Sequence, residues 1–149
     1  MLLEKEFIRT DVNASSAHQV IELLSGILVK GGRVKESFCV ACEERETRYP
    51  TGIPAAGIGL AIPHTTTDHV IEPAIAVARL QNGVRFTEMG TLDTPLDVEL
   101  VIMLAVQNPN TQLDTLQRLM AVFQDSEVLR QIRECDTVDG LHQLLMFLN

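Results

Sequence analysis

The sequence predicts a single-domain α/β sandwich, a mixed central β-sheet flanked by helices, from three observations. Apolar residues near the N-terminus recur at helical spacing, the middle of the chain holds apolar runs without alternation, and the final third returns to a helical pattern. Runs without alternation suit strands covered on both faces, so the helices before and after them have a sheet to pack on. A chain of 149 residues is long enough for one compact domain, residues 1 to 149, and too short for two typical ones.

Taken in order, "EFIRTDV" reads as a first strand and gives way to "NASSAHQVIELLSGILVKGG". There Ala17, Val20, Ile21, Leu24, Ile27 and Leu28 share a helical face, Asn13, Ser15 or Ser16 caps the start, and Gly31 and Gly32 end it. A second helix fits "VKESFCVACEER", with Val34, Phe38 and Ala41 or Cys42 on one side. "YPTGIPAAG" is dense in proline and glycine and reads as a shaped loop. "IGLAI", "AIAVARL" and "VELVIMLAV" read as buried strands, and between the last two "NGVRF" signals a turn and a short strand, hence a hairpin. "TQLDTLQRLMAVFQDSEVLRQIRECDTVDGLHQLLMFL" reads as helical throughout, with Asp125 or Ser126 capping one helix and Thr137 another.

Composition narrows the function. Apolar residues make up 46% and charged residues 21%, which suits a globular protein and neither disorder nor a fibrous repeat. No apolar run approaches the roughly 20 residues of a membrane span, and "MLLEKEFIRT" lacks the basic start and long apolar stretch of a signal peptide, so no direct membrane insertion and a cytoplasmic location are expected. Three cysteines cannot all pair within the chain, which agrees with a reducing compartment. The formal charge of −8 disfavours a grip on phosphate backbones, so a basic protein partner is expected and nucleic acid is not.

"GIGLAIPHTTTDHV" carries the candidate site. Pro63 lacks an N–H and should stop the ladder, leaving His64 at the sheet edge where ligands bind in α/β proteins. A neutral, oriented imidazole is a nucleophile near neutral pH, and the hydroxyls of Thr65, Thr66 and Thr67 suit the oxygens of a phosphoryl group. On pattern alone, a surface or hydrogen-bonded structural histidine is the simpler reading.

These residues carry a resemblance. "TGIPAAGIGLAIPHT" resembles the phosphorylation-site motif of the type-2 enzyme IIA (EIIA) domains of the bacterial phosphoenolpyruvate-dependent sugar phosphotransferase system (PTS), the fructose and mannitol superfamily. "EERETRYPTGI", "NGVRF", "TPLDVELVIMLAV" and "LDTLQRLMAVFQDSEVLRQI" resemble its other segments, over roughly residues 5 to 147. The Pro50-Thr51-Gly52 turn, the spacing from Arg45 to His64, and "PHTTTDHV" look most like the galactitol branch.

The resemblance implies a type-2 IIA fold and a phosphocarrier that needs no cofactor. On it, His64 accepts a phosphoryl group from the phosphohistidine of the carrier HPr and passes it to a cysteine of a IIB domain, and through that to a membrane IIC component for sugar uptake. Arg45 is implied as a ligand of the phosphoryl oxygens, with Arg48 a competitor and a solvated helix-end arginine the plainer reading of either. Mannitol-type members carry a second histidine where this chain reads Gln112. His69, five residues after His64, is the candidate to replace it, or else an exposed loop histidine.

Two other function classes compete with sugar transport. One is a regulatory module of the same fold, like the nitrogen-related IIA proteins, and the other a metal-dependent enzyme using His64 and His69. Zinc at His64, Asp68 and His69 lacks a completing pair, so no metal site is expected. Cys39 and Cys42 read as packing residues one helical turn apart, His18 and His142 as members of solvated helix faces, and Glu88, Asp93 and Asp97 as a solvent-facing acidic stretch.

Overall fold

The computed structural model describes residues 2–55 and 57–149. Among the described residues, five strands and five α-helices follow one another as β1 (Leu3–Val12), α1 (Ala17–Lys30), α2 (Ser37–Arg48), β2 (Gly52–Ala55), β3 (Ile58–Ala61), β4 (Ala74–Thr87), β5 (Pro95–Ala105), α3 (Pro109–Val122), α4 (Ser126–Glu134) and α5 (Val138–Leu144), with short 3₁₀ turns at Thr67–His69 and Met146–Leu148. The sheet order is β1-β4-β5-β3-β2. The β1/β4 and β3/β5 pairs are parallel, whereas β4/β5 and β2/β3 are antiparallel, so the sheet is mixed as expected.

Period-two alternation sends the apolar strand residues to opposite faces. Ala74, Ala76 and Ala78 of β4 with Val101 and Met103 of β5 meet Val20, Leu24 and Leu28 of α1 and Phe38 of α2. Ile75 and Val77 with Leu100, Ile102 and Leu104 meet Leu119 of α3, Leu129 and Ile132 of α4, and Leu141 of α5. Alanines on the first face let α1 approach closely, and each leucine removed from water contributes about 1.5–3 kcal/mol. The continuous apolar runs of β4 and β5 thus reflect two cores sharing one sheet.

The predicted caps hold at three helices. Ser16 accepts from the Gln19 N–H, Asp125 from those of Glu127 and Val128, and Thr137 from that of Gly140. Asn108 caps α3 by accepting from the Asn110 N–H, with Pro109 just inside the start, two residues before Thr111, where the predicted helical run begins.

Three expectations are corrected. "YPTGIPAAG" is not all loop, because Gly52–Ala55 forms β2. Among the named strands it pairs with β3 at the sheet edge, and the further bridge, from Gly52 to Glu88, does not involve Pro54, which therefore deprives no second strand of a donor. Asn82-Gly83 is not a hairpin turn: β4 runs through it with a register shift between Arg79 and Val84, and the chain reverses at Glu88–Thr94, where the Glu88 N–H donates to the Thr94 carbonyl over 2.8 Å. His142 is not on a solvated face. It is buried against β1, with Nε2 3.2 Å from the Leu3 carbonyl.

Gly59 has a reason to be glycine, since a Cβ there would overlap the Asp97 carbonyl of β5. The close approach seats β3 in the sheet and fixes where its C-terminal end, and therefore His64, emerges. Among the described residues, no helix is long and apolar enough to cross a membrane.

Candidate phosphoryl-transfer site

The ladder of β3 ends as Pro63 dictates. The Pro63 carbonyl still accepts from the Leu104 N–H over 3.0 Å, but the Ile62 N–H turns to a side chain, the Thr51 hydroxyl oxygen, at 3.1 Å. Beyond it His64 folds back, and its Nδ1 lies 2.8 Å from the Ile62 carbonyl. A carbonyl can only accept, so in the neutral ring Nδ1 carries the proton and Nε2 keeps its lone pair. His64 is 8% exposed. Burial lowers its pKa from the ordinary value, the Ile62 bond opposes that shift, and the Arg45 guanidinium adds to it.

Arg45 comes from the last turn of α2, the second helix. Its Cζ sits 5.1 Å from the Tyr49 ring centroid, a cation–π distance. Its Nε is buried and has no hydrogen-bond partner among the described residues. Arg45, Arg48, Tyr49, Thr65, Thr66 and His69 line one cleft of about 250 Å³. His64 does not line it, although Thr65, next in the chain, does. Arg48 is exposed and also borders a neighbouring cavity, so the half-buried Arg45 is the better-held of the two.

The loop after His64 is tied down at both ends. Gln112 of α3 donates from Nε2 to the Thr65 carbonyl over 3.2 Å. The His69 carbonyl accepts from the Lys35 N–H over 2.9 Å, and the Arg33 carbonyl from the Ile71 N–H over 2.8 Å. The His69 ring meets the Ser37 hydroxyl through Nδ1 at 2.8 Å, and its Nε2 lies 3.7 Å from the Asp68 carboxylate. The neighbouring Thr66 hydroxyl is the main cause holding the exposed Asp68 carboxyl below its usual range. Thr65 is buried and Thr66 exposed. The loop therefore does fold back, bringing His69 into the cleft with Arg45, whereas Gln112 holds the loop from its other side.

Two residues to which the sequence assigned no role belong here. Glu46 accepts from the Thr51 N–H at Oε2 and from the Thr51 hydroxyl at Oε1, both over 2.8 Å. Burial pushes the Glu46 carboxyl up from its ordinary range, and the two Thr51 bonds pull against that shift. In "EERETR" nothing marks Glu46 apart from Glu43 and Glu44. Only the packing of the helix end over Thr51 does.

Elsewhere, Cys42 is buried in the core and Cys39 half-buried, both unpaired. His18 is exposed, within 2.6 Å of Glu43 and 3.2 Å of Glu22. Among the described residues, no group of three or more His, Cys, Asp or Glu is assembled that could hold a metal ion.

The structure thus places a mixed sheet between two helical layers, with a buried histidine at a strand end next to an arginine-lined cleft. Residues 1–147 match the family described as "Phosphoenolpyruvate-dependent sugar phosphotransferase system, EIIA 2". The chain belongs to that family and is a phosphotransferase component. It is 30% identical over 146 residues to the fructose-specific EIIABC component of Bacillus subtilis, covering 97% of this chain but only 22% of that relative. It is 29% identical over 126 residues to the galactitol-specific EIIA component of Escherichia coli K12, covering 85% of this chain and 83% of that relative. Among solved structures, the complex of the Escherichia coli mannitol enzyme IIA with phosphorylated enzyme IIB matches with a TM-score of 0.77 at 25% identity, over 98% of this chain and 99% of that one.

Proposed function

We propose that this chain carries a phosphoryl group from the phosphohistidine of HPr to a IIB domain, and through it to a membrane IIC component, for uptake of a galactitol-like sugar. The observation that carries the reading is the His64 ring, held through Nδ1 by the Ile62 carbonyl so that Nε2 is left with a free lone pair next to the Arg45 cleft. Nε2 attacks phosphorus, the N–P bond to the donor imidazole breaks, and the donor nitrogen takes back the electron pair. His64 keeps its Nδ1 proton throughout, so the phosphorylated ring can depart as a neutral imidazole when a IIB nucleophile attacks in turn. Such a transfer asks for positioning and oxygen donors, which Arg45, Thr65 and Thr66 supply.

The IIB partner is supported by the mannitol complex, and the galactitol branch by its Escherichia coli relative together with "PHTTTDHV". Incubation with phosphoenolpyruvate, enzyme I and HPr should deposit one acid-labile phosphate, mapping to His64. Label on another residue, or none, removes the reading.

Docking of HPr should use the exposed apolar residues beside the cleft. Tyr49 and Leu92 are 63% and 76% exposed and border a cavity of about 350 Å³ with Met89; Glu44 lines the adjoining cleft with Tyr49, and the exposed Asp93 follows Leu92 in the chain. With a formal charge of −8, encounter with a basic partner surface is accelerated and salt screens it. The bimolecular transfer rate is expected to fall by roughly tenfold from low to high ionic strength. A rate indifferent to salt would leave only the apolar contacts.

His69 is expected to matter more than Gln112. The former lines the cleft, and its Nε2 can donate to a phosphoryl oxygen when the Ser37 hydroxyl donates to Nδ1. The Gln112 amide is spent on the Thr65 carbonyl. His69→Ala should slow transfer by roughly a hundredfold, on the order of 2–4 kcal/mol, and Gln112→Ala by much less, with His64 still labelled in both. Equal, small effects measured by rapid quench would return His69 to the role of a loop residue.

A further inference from the structure

We propose that Glu46 and Thr51 form a positioning relay that selects the tautomer and the aim of His64. The inference rests on reading His64 as the phosphoryl acceptor and names what prepares it. The path is continuous. Glu46 Oε1 accepts the Thr51 hydroxyl proton at 2.8 Å, which leaves that oxygen's lone pair to accept from the Ile62 N–H at 3.1 Å. The Ala61–Ile62 peptide is thereby anchored, and at the other end of the same residue the Ile62 carbonyl accepts from His64 Nδ1 at 2.8 Å.

Directionality gives the chain its meaning. The Ile62 amide can only donate, so Thr51 must accept there, and its own proton must go elsewhere. Glu46 is the acceptor, and its second oxygen is already engaged by the Thr51 N–H at 2.8 Å. An ionised carboxylate satisfies both donors, whereas a carboxamide or a protonated acid presents a donor to one of them. Thr51 is 3% exposed, so water cannot substitute freely for a lost partner. Glu46 stands next to Arg45 on the last turn of α2, so one helix end holds both the candidate phosphoryl ligand and the root of the relay.

The relay also gives the last N–H before Pro63 a partner where the strand ladder stops. An ordinary strand end would leave the Ile62 N–H to a neighbouring strand or to water, and the Ile62 carbonyl with more freedom to rotate. Here a side chain anchored on α2 fixes the Ala61–Ile62 peptide, the Leu104 N–H holds the Pro63 carbonyl beyond it, and the Ile62 carbonyl between these two anchors sets the orientation of the imidazole.

The test compares Thr51→Val, which keeps the shape and removes the hydroxyl, Glu46→Gln, which changes one atom, and Thr51→Ser, which restores the hydroxyl. The first readout is the imidazole ¹⁵N spectrum of unphosphorylated protein, which requires no transfer. Wild type and Thr51→Ser should hold His64 with a protonated Nδ1 and a bare Nε2, whereas Thr51→Val and Glu46→Gln should show mixed tautomers. The second is phosphorylation by phospho-HPr. Thr51→Val and Glu46→Gln should be slowed roughly 10–100-fold at saturating donor, with the half-saturating donor concentration unchanged, and Thr51→Ser should recover most of the rate. A wild-type tautomer or a wild-type rate in a folded Thr51→Val protein overturns the relay. Absence of label on His64 in the wild type would instead overturn the phosphocarrier reading, while the tautomer spectrum still decides whether Glu46 and Thr51 orient the ring.

Discussion

His64→Ala is expected to abolish phosphorylation by phospho-HPr while the protein stays folded. The ring contributes one hydrogen bond, to the carbonyl two residues back, and its loss opens space beside that carbonyl for water to enter. A net hydrogen bond of this kind is worth about 0.5–1.5 kcal/mol, so stability should fall by little more than that. The chemical effect is total, because no other imidazole on the His64 loop is held by a backbone carbonyl. His69 makes its Nδ1 contact with a hydroxyl, which leaves its tautomer open. Stoichiometric phosphohistidine in His64→Ala would therefore sink the assignment.

The same geometry sets the pH dependence. An imidazolium has no lone pair, so phosphoryl acceptance should fail as pH drops through the pKa of His64. Burial, with Arg45 adding to it, holds that pKa below the ordinary histidine value of about 6.5, so the acid limb of the rate should lie below that value. The sign for stability follows. Between the lowered folded pKa and the unfolded one, the unfolded chain binds more protons, so stability rises with pH across that window and is lost as pH falls through it. A pH–rate profile with its acid limb above pH 7 would contradict this environment.

How far the sequence reveals such a site depends on which forces act locally. The strand before His64 and the break at Pro63 were legible because apolar runs and a missing N–H act on the residues that carry them. The three helix caps were legible for the same reason. Strand β2 was not, since Gly52 and Pro54 argue for a loop until β3 supplies an edge to pair with. Asn82-Gly83 misled because β4 absorbs it as an irregularity and reverses later, near Gly90 with its φ of 83°. His142 was misplaced because its partner, Leu3, lies 139 residues away. Glu46 was invisible because its value comes from the hydroxyl and N–H of Thr51, brought to it by the turn after α2. Local chemistry placed His64 at the strand end, and tertiary packing brought Glu46 and Thr51 to the backbone that holds its ring.

Arg45→Ala should cost the most after His64 itself. The guanidinium is held on two sides, by stacking on Tyr49 and by burial of Nε, yet Nε has no hydrogen-bond partner among the described residues. A buried donor without a partner costs on the order of 1–3 kcal/mol, and an incoming phosphoryl oxygen would recover it. The charge then counts more in the transition state, where a loose phosphoryl group spreads charge over its oxygens. Removing such a group typically lowers the rate by roughly 10²–10³-fold. Arg45→Lys should restore only part of that loss, because an ammonium offers a point charge where a planar fork can bond two oxygens. Arg48→Ala should lose far less, since Arg48 is exposed. A second readout separates this electrostatic role from a structural one. The Arg45 charge helps hold the His64 pKa down, so Arg45→Ala should raise that pKa in an NMR titration, whereas Arg45→Lys should leave it nearer the wild-type value. A transfer rate within threefold of wild type in Arg45→Ala, with the His64 pKa unmoved, would return this arginine to the helix end as a solvated charge.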